Sequence, residues 1–181
     1  EKYWLMMLDS CMCEPVHETG GKLSEETVAW MKTQLEEAKK QGVTVIPVSH
    51  HNLLDESTLY PEECTIENTK EVTALLEAYG VPVYLSGHLH LQRIKKHTSN
   101  LNTPGGYGIR EIVTSPLPMA PCQYSILNWQ ADGSLSYHTK KVDIAGWAQR
   151  YGEEDENLLN FDAYADQFLV DVISKQAFKA L

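Results

Sequence analysis

Two stretches of the chain bring imidazoles close together, Ser49-His50-His51-Asn52 and Gly87-His88-Leu89-His90. A neutral imidazole is a good ligand for Zn, Mn, Fe, Co or Ni, and such ions bind most tightly where several rings converge. In the second stretch the histidines stand two positions apart. An extended backbone points both rings the same way, whereas a turn lets them face two neighbouring metals, and Gly87 would permit that turn. Each stretch follows a short apolar run, Val43–Val48 in one case and Val81–Leu85 in the other. If those runs are adjacent parallel strands, His50, His88 and His90 form a partial metal shell. His51 neighbours His50, but strand alternation turns it elsewhere. His17, His97 and His138 have no such company and read as surface or satisfied core residues. Cys11, Cys13 and His17 make a C-x-C-x3-H cluster, but its spacing matches no standard zinc site, so loop thiols or a disulfide are the expected reading.

The elements that must position these residues follow from periodicity and punctuation. Tyr3–Leu8 is a short apolar run with the look of a buried strand. A loop with Pro15 and Gly20-Gly21 leads to Ser24, a helix N-cap with Glu25 and Glu26 behind it. Val28, Met31, Leu35 and Ala38 recur at helical spacing, Lys39 and Lys40 suit the carboxyl end, and Gly42 closes it. The strand Val43–Val48 follows, interrupted by Pro47. A second helix is marked by Val72, Leu75, Leu76 and Tyr79, with Gly80 after it, and Val81–Leu85 is the next strand. The order predicts a parallel β-α-β-α-β unit with right-handed crossovers, whose functional residues gather at the carboxyl ends of the strands. The pattern then turns antiparallel. Gly108–Thr114, Tyr124–Trp129 and Leu135–Val142 read as strands, the last two joined at Ala131-Asp132-Gly133. From Gly146 the chain becomes a helical tail carrying Phe161, Tyr164, Phe168, Val172 and Ile173 roughly on one face, which predicts docking on the core. The expected division is residues 1–145 for the α/β domain and 146–181 for the tail.

Composition removes several classes of function. With 181 residues the chain is one domain or a domain plus an appendage. Its 43 % apolar and 22 % charged residues are ordinary for a globular protein, which excludes wholesale disorder. A net charge of −10 argues against generic nucleic-acid binding. It leaves room for a phosphorylated small molecule, because a bound metal inverts the local field. No apolar run approaches the roughly 18–20 residues of a membrane span. The N-terminus has no initiator Met, no basic region and no cleavable apolar segment, and it enters a strand almost at once. A chain cut from something longer is the expectation.

Gly-His-Leu-His after a strand, preceded by a strand ending in His-His, resembles the calcineurin-like metallophosphoesterases. Leu8-Asp9-Ser10, the glycine-rich loop, the helix with Trp30 and Leu35, and Val-Ile-Pro-Val-Ser-His-His agree with that resemblance, which covers roughly Tyr3 to Val142. It implies a two-sheet sandwich with flanking helices. It also implies hydrolysis of a phosphomonoester or phosphodiester by a hydroxide bound to two metal ions about 3.5–4 Å apart. On this pattern His50 and His88 share one divalent or trivalent transition-metal ion (Mn, Fe, Zn, Co or Ni), and His90 holds its neighbour. His51, Asn52 and Gly87 would support these ligands or touch substrate, although an asparagine after a strand is just as often a turn residue. No catalytic acid or base is assigned. The family's earlier motifs, D-x-H, G-D-x-x-D and G-N-H-[DE], are absent from these residues. The resemblance therefore implies the C-terminal half of such an enzyme, inactive alone, with the N-terminal half encoded upstream or carried by another polypeptide. Half of that fold would expose apolar strand edges and faces. Two other readings compete: a non-catalytic metal- or partner-binding module derived from the fold, and a mononuclear hydrolase working from three imidazoles.

Overall fold

The structure, a computed structural model, describes residues 3–13, 16, 18–55, 61–97, 108–130 and 132–179, so His17 and Ala131 lie outside the described residues. They form two compact units, Glu1–Thr114 and Ser115–Leu181. In the first unit the order is β1 (Tyr3–Met7), α1 (Glu25–Gln41), β2 (Thr44–Val48), α2 (Pro61–Cys64), α3 (Thr69–Ala78), β3 (Val83–Ser86), β4 (Arg93–Lys96) and β5 (Arg110–Val113). These strands make one sheet in the order β1-β2-β3-β5-β4, parallel except where β4 runs against β5. The parallel β-α-β-α-β unit expected from the sequence is present, and the molecule is mixed α/β. The edge strand β4 has no counterpart in the sequence reading: Arg-Ile-Lys-Lys offers one apolar residue and no alternation to detect.

α1 begins as its cap predicts. The Thr27 N–H donates to Ser24 Oγ at 3.1 Å, and Gly42, at φ 65°, closes the other end in the left-handed conformation. Met31, Leu35 and Ala38 are its buried face, packed into a core with Met6, Val45, Val72, Leu76 and Tyr84. Ser24→Ala is expected to lower stability by about 1 kcal/mol, read as a shift of the urea midpoint. An unchanged midpoint would mean that the cap contributes nothing.

Pro47 explains how β2 pairs. The Leu8 N–H donates to Val48 O and the Ser49 N–H donates to Leu85 O. Residue 47 therefore faces β3, toward which it has no N–H to give. β2 pairs with β1 along all five residues, but with β3 only at Val48↔Leu85. On the far side β1 is an edge strand among the described residues, and its Leu5 and Met7 are 65 % and 67 % exposed. An exposed apolar strand edge of this kind is a site for pairing with further chain.

The second unit contains the antiparallel hairpin β6 (Gln123–Trp129) and β7 (Leu135–Lys141), then α4 (Ile144–Tyr151), α5 (Glu156–Leu159) and α6 (Phe161–Lys179). Among the described residues β6 and β7 pair only with each other. The tail is three helices: Gly152 closes α4 at φ 71°, and Asp155 caps α5. Of the aromatic stripe, Tyr164 and Phe168 are exposed, while the neighbouring Ala165 is buried. No helix of the described residues is long and apolar enough to cross a membrane.

Candidate metal centre

The two histidine stretches leave the sheet side by side. Beyond the last paired residues the chains stay in register: the Ser49 N–H donates to Leu85 O at 3.1 Å and the Gly87 N–H to His50 O at 3.0 Å. The β3 segment then reverses in a three-residue turn, closed by the Leu89 N–H donating to Gly87 O at 2.7 Å. His88 at its centre has φ 63°, and His90 has φ 55°. Of the two conformations left open by the spacing, the segment takes the turn, and the histidines rather than Gly87 make it. Gly87 has no positive φ, and a Cβ there would meet only ordinary contacts, His50 O at 3.8 Å and Thr114 O at 3.9 Å. A non-glycine residue in the left-handed region costs of order 1–3 kcal/mol and persists where the surroundings over-determine it, often at functional sites.

The turn carries the His88 ring onto His50. His88 Nδ1 lies 2.9 Å from His50 Nε2. One ion bonded to each nitrogen at roughly 2.0–2.1 Å can bridge that separation. Burial, and after it the neighbouring His51 and His50, push the His88 pKa below the ordinary imidazole value. The ring is therefore neutral at pH 7 and keeps a lone pair. His51 packs against both rings, with centroids 5.0 Å from His50 and 4.7 Å from His88. Among the described residues these three histidines form the one His/Cys/Asp/Glu cluster whose ligand atoms approach closely enough for a metal, all within 4.8 Å. His90 is exposed and is not part of it.

The three rings are not equivalent. His51 is buried, and both of its ring nitrogens are occupied: Nε2 lies 3.0 Å from Thr19 O and Nδ1 lies 2.9 Å from Ser10 Oγ. A carbonyl only accepts, so Nε2 carries the proton and Nδ1 accepts from the Ser10 hydroxyl. Ser10 Oγ in turn accepts from the His51 backbone N–H at 3.1 Å. Burial lowers the His51 pKa against a smaller opposing pull from the Thr19 carbonyl. His51 is thus a neutral ring with no lone pair to spare, a prop for the other two. His50 and His88 fit a metal; His51 fits the role of holding them.

Beneath the rings lies a network of which the sequence reading named only Asn52. Glu111 on β5 is fully buried, and its carboxylate accepts from the Leu53 N–H at 2.7 Å, the Leu54 N–H at 2.6 Å and the Ser86 hydroxyl at 2.6 Å. Asn52, also fully buried, donates through Nδ2 to Ser86 Oγ at 2.9 Å and to Gly87 O at 3.1 Å. Its Oδ1 has no partner among the described residues. The Tyr84 hydroxyl, its pKa raised by burial, donates to Ser49 Oγ at 2.7 Å, and Ser49 Oγ donates to His51 O at 2.6 Å. One carboxylate therefore ties the loop after β2 to the end of β3, the two segments that carry His50 and His88. An acid within the short strand Arg-Glu-Ile-Val was the signal available for Glu111. Ser10, three residues beyond β1, carries no sequence signal of its own.

Comparisons with known proteins bear on part of the chain. Residues 143–181, which include α4, α5 and α6, match a family described as the C-terminal domain of cyclic nucleotide phosphodiesterase. That is the segment outside the resemblance seen in the sequence. No curated protein matches the chain. A crystal structure of a dimetal phosphatase from Danio rerio superposes with a TM-score of 0.41 at 20 % identity. The match covers 52 % of this chain and 28 % of that one. A likeness that loose carries no argument about activity.

Proposed function

We propose that this chain carries one side of the metal centre of a phosphodiester hydrolase, with a cyclic nucleotide as the substrate class. The observation that carries the reading is the 2.9 Å approach of His50 Nε2 and His88 Nδ1 at the ends of adjacent parallel strands. The match of residues 143–181 to a cyclic nucleotide phosphodiesterase domain favours a diester over a monoester. In this reading His50 and His88 hold one transition-metal ion, and His90 holds a second. Bound there, such ions supply Lewis acidity and lower the pKa of water. The chain's own residues orient and insulate: His51 stays neutral between its two hydrogen bonds, and Asn52 and Glu111 hold the strand ends together. Further ligands come from another segment, in the same gene or on another polypeptide, that covers β1 and its exposed Leu5 and Met7.

The test is metal stoichiometry by elemental analysis after dialysis against trace Mn and Zn, on the chain and on single variants. His50→Ala and His88→Ala are each expected to cut occupancy at least tenfold. His97→Ala, whose ring pairs with Glu77 at 2.8 Å instead, leaves it unchanged. Equal occupancy in wild type and both site variants overturns the assignment. In the longer protein that supplies the remaining ligands, His88→Ala and His90→Ala should each abolish hydrolysis of a 3′,5′-cyclic nucleotide. Metal binding without hydrolysis there would leave the non-catalytic module as the correct reading.

A further inference from the structure

The first unit holds a cavity of about 540 Å³ beside α3 and β4, apart from the paired His50 and His88 rings. That size suits a small-molecule ligand. Its walls are the exposed face of α3, the end of β4 and the loop at Leu54-Asp55. In a chain of net charge −10 the wall gathers three lysines, Lys70, Lys95 and Lys96. Opposite charge is present but partly spent. Glu77 pairs with His97 at 2.8 Å, and Asp55, an exposed residue, lines the same cavity. Lys95 Nζ donates to the Asp55 backbone carbonyl. Lys70 and Lys96 have no ion pair among the described residues, and Lys70 sits in the first turn of α3, where the helix dipole adds positive potential.

A second observation points the same way. Thr73 lines the cavity, is only 5 % exposed, and its Oγ1 has no hydrogen-bond partner among the described residues. Buried hydroxyls nearly always find a partner, and one without a partner asks for an explanation. A phosphate group offers acceptor oxygens both to a hydroxyl and to ammonium groups, and its double charge matches unpaired lysines better than a neutral ligand does.

We propose that this cavity binds the phosphate group of a small phosphorylated metabolite, held by Lys70 and Lys96 with Thr73 donating its hydroxyl. The proposal does not rest on the metal-centre reading. Its wall at Leu54 belongs to the loop that Glu111 holds, so an occupant would touch the segment that also carries His50.

The test is calorimetric titration of the whole chain in EDTA at constant ionic strength, with inorganic phosphate and with a nucleoside 5′-monophosphate as separate probes. Saturable binding of at least one probe is expected, weakened at least tenfold in Lys70→Ala/Lys96→Ala and several-fold in Thr73→Val. Lys175→Ala should bind as wild type does. Binding of inorganic phosphate alone would identify the free ion as the ligand, whereas tighter binding of the monophosphate would identify an organic phosphate. No saturable binding of either probe, or equal weakening in Lys175→Ala, overturns the proposal. Thr73→Val keeps the shape of the side chain, so the test survives if the double lysine variant folds poorly. Because EDTA removes metal, failure here leaves the His50–His88 assignment standing, and failure of that assignment leaves this one.

Discussion

Glu111→Ala is expected to lower the unfolding free energy by about 3–5 kcal/mol, the range in which a buried hydrogen-bond network is broken outright. The substitution removes the acceptor for two consecutive backbone N–H groups, Leu53 and Leu54, and for the Ser86 hydroxyl, all at a position with no solvent exposure. Each stranded donor costs roughly 1–3 kcal/mol, and the three are not additive because water enters the space left behind. Glu111→Gln keeps one acceptor oxygen but turns an amide N–H toward a backbone N–H, so it should fall between wild type and alanine. Urea denaturation measures both, with the midpoint shifting and the slope unchanged. The local consequence is as specific as the global one. Without the carboxylate, the loop after β2 and the end of β3 lose their shared anchor, so the His50 and His88 ring resonances should move. A stability loss below about 1 kcal/mol, or unmoved imidazole signals, would show that the network does not position the site.

Gly21→Ala should be nearly as damaging, for a different reason. A Cβ at residue 21 would stand 2.3 Å from His51 Cγ, 2.5 Å from Nδ1 and 2.7 Å from His51 Cβ. Those atoms are the root of a buried ring held at both nitrogens, so the ring cannot swing aside without breaking its bonds to Ser10 and Thr19. The backbone of Gly21 is fixed as well, bridging Cys11 on one side and Ile66 on the other. Overpacking of this kind costs about 1–3 kcal/mol. Because His51 props His50 and His88, metal affinity should fall about tenfold or more with it, corresponding to roughly 1.4 kcal/mol of binding free energy. Gly87→Ala is the contrast: its added methyl group meets nothing closer than 3.8 Å, and its backbone is not left-handed. Isothermal titration with Co²⁺ on both variants separates the two positions. Equal affinities would refute a supporting role for His51.

The histidines at the two strand ends were legible because the signals are local. An apolar run followed by histidines marks a strand end, and Ser24 with Glu25, Glu26 and a 3.6-residue apolar period marks a helix start, whatever the rest of the chain does. Two such strand-helix units in succession constrain handedness and parallel pairing, which brings the ends of β2 and β3 together. Other features had no local mark. β4 is held by pairing with β5 rather than by its own Arg-Ile-Lys-Lys, and Glu111 reads in isolation as a surface acid. Gly21 looked like one of two loop glycines, while Gly87, the glycine the motif picks out, turned out not to need its freedom. Spacing alone left the geometry of Gly-His-Leu-His open between an extended segment and a turn. The positive φ angles of His88 and His90 decide it, and with it which imidazoles meet. Sequence determined which residues stand at the mouth of the sheet, because periodicity and caps act over a few neighbours. Tertiary structure alone decided which of them face one another and what holds them, because that depends on contacts between residues such as Glu111 and Leu53, 58 positions apart, that no local pattern records.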